Sequence, residues 1–160
     1  MPETSSSKST AQLLGDRKQK LKRLRDEFGL DPYGHRLDGL IPLADARARY
    51  DAEADAAFKK AEEAGEETSG ADARPAVTVA GRVVHHRPMG NLIFLVLRDH
   101  TGDLQVAVSK KTVGQPWFGL AKMTDYSDLA AATGRLGTTN TGEITLWVEL
   151  PHADAEERSD

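Results

Sequence analysis

The sequence runs to 160 residues, 39% hydrophobic and 29% charged, with no cysteine and a formal net charge of −4. Lack of cysteine excludes a disulfide scaffold, a thiol nucleophile and any thiolate metal site, and no apolar run nears the ~20 residues of a membrane-spanning helix. The start, Met1 to Lys8, is polar and lacks the apolar segment of a secretory signal, so a soluble cytoplasmic protein with no membrane partner is expected.

Residues 1–10 are rich in Ser and Thr and read as a disordered tail. Residues 11–60 read as an N-terminal helical extension. Its first helix, over 11–28, carries Leu14, Leu21, Leu24 and Phe28 as a narrow apolar stripe, with Gly29 and Pro32 beyond it as stop signals. Six basic residues and no acidic one lie between Arg17 and Arg25. That run reads either as a solvated helix face or as an auxiliary phosphate-contacting surface. Asp31 to Arg36 is turn chemistry, and a second helix is expected from near Pro42, with Leu43, Tyr50 and Phe58 on its buried side. Over 61–75 the composition becomes that of an acidic flexible linker, in which Glu62, Glu63, Glu66, Glu67 and Asp72 have no counter-charge among them.

From Ala76 the hydrophobic period changes to two. Val77 to His86 predicts a long strand with a bulge or bend at Gly81, Asn91 to Arg98 a second, and Asp103 to Ser109 a third, with Asp99 to Gly102 as the hairpin turn. Pro116 to Met123 predicts a short helix, Leu129 to Leu136 a fourth strand and Glu143 to Leu150 a fifth. Three strands, a helix and two strands over 76–150 predict a mainly β fold, a five-stranded OB-fold Greek-key barrel with an N-terminal α-helical extension. So small a barrel is near the lower limit of independent folding, and the extension is expected to complete its core. Residues 151–160 form an acidic tail. Within 76–150 there are seven Lys/Arg and six Asp/Glu, so the chain's negative charge sits in linker and tail and does not exclude a nucleic-acid partner.

Strand alternation decides which side chains can meet a ligand. Leu104, Val106 and Val108 share one face of the third strand, leaving Gln105 on the other. On the fifth, Ile144, Leu146 and Val148 point inward, and Glu143, Thr145, Trp147 and Glu149 outward. If the turn pairs Arg98 with Asp103, Phe94 opposes Ala107, Val96 opposes Gln105, and Phe94 and Gln105 share the outer face. A slip of one residue would separate them. Taken one at a time, Phe94 reads as core, Gln105 and Glu143 as ordinary residues of a solvated sheet, and Arg87 as a loop residue. Together they suit an unstacked base. A phenyl ring offers a stacking platform worth roughly 1–3 kcal/mol per base. A Gln amide pairs with the adjacent acceptor and donor of uracil, although the reversed amide fits cytosine equally, so its neighbours must set its orientation. Glu143 can accept the N3–H of uracil, a proton cytosine lacks, and Arg87 can reach a base oxygen or a phosphate.

These residues resemble a known family. The stretch from Val79 to Gln105, through Arg87, Gly90, Phe94, Asp99 and Gly102, with Thr139 to Ile144 after it, is similar to the anticodon-binding OB domain of class II aminoacyl-tRNA synthetases. Leu24 to Arg36, followed by Ala44 to Tyr50, resembles the N-terminal block of the bacterial-type lysyl enzymes. The resemblance implies that Phe94 stacks on the central anticodon base, that Gln105 and Arg87 read its edge, and that Glu143 contacts a neighbouring uridine. It implies a lysine-accepting tRNA as partner, dimerisation in the full-length context, and Arg82, Asn91, Thr139 and Asn140 as candidate RNA backbone contacts.

The chain also departs from that pattern. No class II motif with ATP-binding arginines is present, so no cofactor is expected in this chain, ATP and Mg²⁺ belong to a catalytic domain it lacks, and by itself it is expected not to aminoacylate. Thr138 and Asn140 stand where relatives carry Lys, as does Asn91, and Tyr126 to Thr133 has weak β propensity for a fourth strand. Weaker phosphate attraction follows. An independent single-stranded nucleic-acid binder and a protein-interaction domain that has lost RNA binding are the alternative readings. Adjacent His85 and His86 point to opposite strand faces and cannot chelate one ion, and no residues form a zinc site or a catalytic triad. The outward Trp147 is expected to pack against the N-terminal helices or a neighbouring domain.

Overall fold

The computed structural model describes residues 7–67 and 72–150, in two compact units that divide after Leu37. Helix α1, Thr10–Asp26, belongs to the first. Ser9 caps it reciprocally: its hydroxyl accepts the Gln12 N–H, and the Gln12 side chain accepts the Ser9 N–H. No residue of α1 is buried, and Leu13 and Leu14 are 50% and 55% exposed. The helix stops short of Phe28, and Gly29 takes a φ of +62° in the turn that follows.

In the second unit the predicted single helix after Pro42 is two helices, α2, Leu43–Ala48, and α3, Ala52–Glu63. Asp51 makes the break. Its carboxylate accepts the N–H groups of Glu53 and Ala54 and caps a new helix, a local alternative that competes with continuing the old one.

The barrel consists of β1, Ala76–Met89; β2, Leu92–Asp99; β3, Gly102–Ser109; β4, Leu129–Thr138; and β5, Ile144–Val148. Helices α4, Lys110–Val113, and α5, Trp117–Met123, join β3 to β4. The strands close in the order β1-β2-β3-β5-β4, antiparallel except for the parallel β3–β5 pair. Closure rests on the length of β1, which pairs with β4 over Ala76–Arg82 and with β2 over Arg82–Met89. Its register shift falls between Val83 and His85 rather than at Gly81. Gly81 is instead a close-approach position, where a Cβ would lie 2.8 Å from the Arg98 carbonyl oxygen. Gly134 of β4 is tighter still: a Cβ there would stand 2.0 Å from the Trp147 carbonyl oxygen. Gly134 thus serves closure, and the strand forms despite its composition.

Inward residues of alternating strands make the core: Val77, Val79, Val83, Ile93, Leu95, Leu97, Leu104, Val106, Val108, Leu136 and Leu146. Of the helical extension, α2 completes it, since its Leu43 and Ala46 are fully buried. Val113 of α4 and Phe118 of α5 join the same core. Asp72, assigned above to an unpaired acidic linker, instead has its side chain only 7% exposed and paired with Arg74 at 2.7 Å and Arg135 at 3.6 Å. The Arg74 guanidinium lies 3.4 Å over the Phe58 ring, tying α3 to the start of the barrel. Residues 1–6, 68–71 and 151–160, which hold most of the expected N-terminal tail, part of the expected linker and all of the expected C-terminal tail, lie outside the described residues.

Candidate nucleic-acid interface

Two neighbouring rows of the barrel's outer surface carry three of the four candidate base-binding residues. The β2–β3 register pairs Arg98 with Asp103, as the hairpin length predicts, and so fixes both rows. One runs Arg87, Phe94, Ala107, Trp147 across β1, β2, β3 and β5, and the next runs His85, Val96, Gln105, Thr145. Ile93 and Leu95, either side of Phe94, are buried, as are Leu104 and Val106 on either side of Gln105. Phe94 and Gln105 therefore share the outer face, both partly exposed, with Arg87 exposed beside Phe94. Ala107 is small and buried between the two aromatic positions.

The amide of Gln105 is held. Its Nε2 donates to Thr145 Oγ1 at 3.0 Å, and Thr145 Oγ1 donates to the Glu143 carbonyl at 3.0 Å. Thr145 is fully buried although it lies on the outward alternation. Glu143 precedes β5, and its carboxylate pairs with Arg47 of α2, Nη1 to Oε1 3.2 Å, both side chains remaining about half exposed. Three of the four predicted base-reading residues thus fall in two adjacent rows. The fourth, Glu143, lies two residues before Thr145, about 7 Å further along the strand direction.

The candidate backbone contacts are distributed differently. Arg82 is exposed, but its Nη1 donates to the Ser127 carbonyl at 2.7 Å and supports a residue with a φ of +73°. Asn91 is exposed in the β1–β2 turn, where its carbonyl accepts the Lys110 N–H at 2.9 Å. Thr139 builds the β4–β5 turn: its hydroxyl accepts the Glu143 N–H at 3.2 Å and lies 3.0 Å from that of Thr141. Asn140 stands exposed at the tip.

The family model for the OB-fold nucleic acid binding domain matches residues 77–149, the whole of this barrel bar its first residue. The barrel is an OB-fold anticodon-binding domain. Over 130 residues, 81% of its length, the chain is 35% identical to a lysine–tRNA ligase of Enterococcus faecalis, of which those residues are 24%. A lysine–tRNA ligase of Synechococcus is 34% identical over 86% of the chain and 25% of its own length, and that of Bacillus subtilis 32% over 81% and 23%. The chain thus spans about a quarter of the length of the curated relatives it matches.

Charge in the OB-fold anticodon-binding domain is segregated in a way the net balance conceals. From Ala73 to Thr124 the only acidic residues are Asp99 and Asp103. Asp103 is neutralised by Arg98 in a two-pronged pair at 2.7 and 2.9 Å. Asp99 turns into the hairpin. Burial works against its charge, but bonds from the Thr101 hydroxyl and from the N–H groups of Leu43, Thr101 and Gly102 hold its carboxyl down at about 2. Arg87, Lys110, Lys111 and Lys122 are left exposed, without an acidic neighbour in that stretch.

Near the face, strand patterning placed Thr145 outward without giving it a role, and it did not find Arg47, Lys110 or Lys111. Thr145 and Arg47 hold Gln105 and Glu143. Lys110 and Lys111 stand beside Asn91, at the end of β2 and β3 away from the hairpin. A run of two lysines without acidic neighbours was the one local signal available. Nearby, Asp55 of α3, 2% exposed, accepts from Tyr50 at 2.9 Å, Lys59 at 3.1 Å and the Thr138 hydroxyl at 2.8 Å. Burial opposes its charge, but these bonds keep its carboxyl below the ordinary range. Lys59 Nζ also donates to Thr138 Oγ1, so α3 brings an ammonium to Thr138, which carries no cation of its own. On the outer side of β5, Trp147 Cδ1 would lie 3.3 Å from a Cβ at Gly137, within reach of the same cluster. Among the described residues no group of three or more His, Asp or Glu could hold a metal ion, and no helix is long and apolar enough to cross a membrane.

Proposed function

We propose that this chain is the anticodon-recognition portion of a lysine–tRNA ligase, gripping uridines of a lysine-accepting tRNA on the outer face of β1, β2 and β3. The observation that carries the reading is that Phe94 and Gln105 share that face in neighbouring rows, a ring and an amide side by side. Phe94 stacks on the central base, Gln105 and Arg87 meet its edge, and Glu143 takes a neighbouring uridine. Stacking on an aromatic ring contributes roughly 1–3 kcal/mol per base, and a bidentate edge contact discriminates by a similar ~1–3 kcal/mol. Lys110 and Lys111, with Arg87, attract the phosphates and offset the cations absent at Asn91, Thr138 and Asn140. Arg82, Asn91, Thr139 and Asn140 line the path as secondary backbone contacts. In this reading the ligase works in the cytoplasm as a homodimer, and ATP and Mg²⁺ act in a catalytic portion that the chain does not span.

The test is a titration with a lysine anticodon stem-loop, the same stem-loop with its central U changed to C, and oligo-dT, each at two salt concentrations. The reading requires a clear loss on the U-to-C change. Equal, salt-sensitive binding to all three ligands would mark an unselective single-strand binder. Absence of binding at low salt would mark a protein-interaction domain.

A further inference from the structure

Resting on that reading, the structure assigns a selectivity role to a residue that touches no base. A hydroxyl has one proton to give. That of Thr145 lies 3.0 Å from the backbone carbonyl of Glu143, a group that only accepts, so the proton is committed there. Toward Gln105 the threonine oxygen is left as an acceptor, and the amide must present its NH₂, as it does at 3.0 Å. The opposite amide orientation would set two acceptor oxygens against each other. Burial removes the remaining freedom: Thr145 is fully enclosed, so water does not substitute for either partner on its side. Gln105 therefore offers a ligand its Oε1 and its second N–H, in one fixed order.

That order matters because the two pyrimidines present inverted patterns. Along the Watson–Crick edge uracil reads O4 acceptor then N3–H donor, and cytosine reads N4–H donor then N3 acceptor. An amide free to turn over satisfies either base. An amide locked in one sense satisfies one and sets like against like on the other. Thr145 is thus the positioning residue that makes Gln105 a reader of uracil rather than of any pyrimidine stacked on Phe94.

Thr145→Val removes the hydroxyl and keeps the shape. The Glu143 carbonyl retains the Thr139 N–H at 3.0 Å, and the partly exposed Gln105 amide keeps access to water, so the substitution strands neither group. Thr145→Ser keeps the hydroxyl. The ratio of affinities for the U- and C-containing stem-loops is the readout, because a merely structural loss weakens both ligands together. In the wild type the expected ratio is about tenfold or more in favour of U. Thr145→Val should bring it to within about twofold of unity, partly by gaining on C, while Thr145→Ser stays within about twofold of the wild-type ratio. Should Thr145→Val fail to melt cooperatively, Thr145→Ala against Thr145→Ser makes the same comparison. A selective wild type whose Thr145→Val variant is equally selective overturns the assignment and leaves the anticodon reading standing. A wild type that does not prefer U overturns both.

Discussion

The Asp99 carboxylate accepts the backbone N–H of Leu43 at 2.8 Å, joining the β2–β3 hairpin to the first turn of α2. The adjacent Ala44 N–H donates to the Thr101 hydroxyl at 3.0 Å, so one four-residue turn clamps the helix whose Leu43 fills the barrel. Turn chemistry that merely reverses the chain in sequence terms also seats α2.

Removing that clamp should be felt in stability. Asp99→Ala is expected to cost about 1–3 kcal/mol, measured by urea denaturation, through orphaned N–H groups at the hairpin and at α2. The pH dependence has a definite sign. The folded carboxyl sits at about 2, below its ordinary 3.8, so its stabilisation is present above 3.8 and is lost as pH falls through 2. Wild-type stability should therefore fall across that window more steeply than that of Asp99→Ala. Parallel acid profiles would contradict this.

Gly134→Ala tests barrel closure. The added Cβ would meet backbone rather than a movable side-chain end, at 2.0 Å from the Trp147 carbonyl oxygen. The β4–β5 pair would have to part, and a loss of ~3 kcal/mol or more in thermal or urea unfolding is expected.

Phe94→Ala should separate binding from folding. Because the ring lies on the outer face, its truncation should leave the melting temperature nearly unchanged while weakening stem-loop binding by roughly 1–3 kcal/mol. A large drop in melting temperature with unaltered binding would return Phe94 to the core.

Lys110→Ala with Lys111→Ala should act on charge alone. If each lysine neutralises one phosphate of a single strand, the salt dependence of log K becomes shallower by about 1.4. The preference for U over C should stay as it is, since neither lysine reaches a base edge in the proposed complex. An unchanged salt slope would remove this pair from the RNA path.

Much of the candidate interface could be read from residue order alone. Period-two alternation identifies the inward sets around Ile93, Leu95, Leu104 and Val106, and a four-residue turn leaves one pairing for Arg98 and Asp103. From those two facts Phe94 and Gln105 must face the same way. Helix boundaries were less legible: Asp51 looks like any helical acid until its carboxylate is seen capping Glu53 and Ala54. Gly81 signalled irregularity, but whether as bulge or as close approach depended on Arg98, a residue on another strand.

Local order by itself thus determined strand spacing, face and hairpin register, because backbone periodicity and turn chemistry act over a few residues. Tertiary structure alone decided which side chains complete the site. Gln105 meets Thr145 because β3 and β5 pair in parallel across forty positions, and Arg47 meets Glu143 only because Leu43 anchors α2 in the barrel. Lys59 reaches Thr138 for a related reason, the docking of α3 on β4 through Asp55. Contacts of this kind depend on which strands become neighbours at closure, and no local pattern encodes that choice.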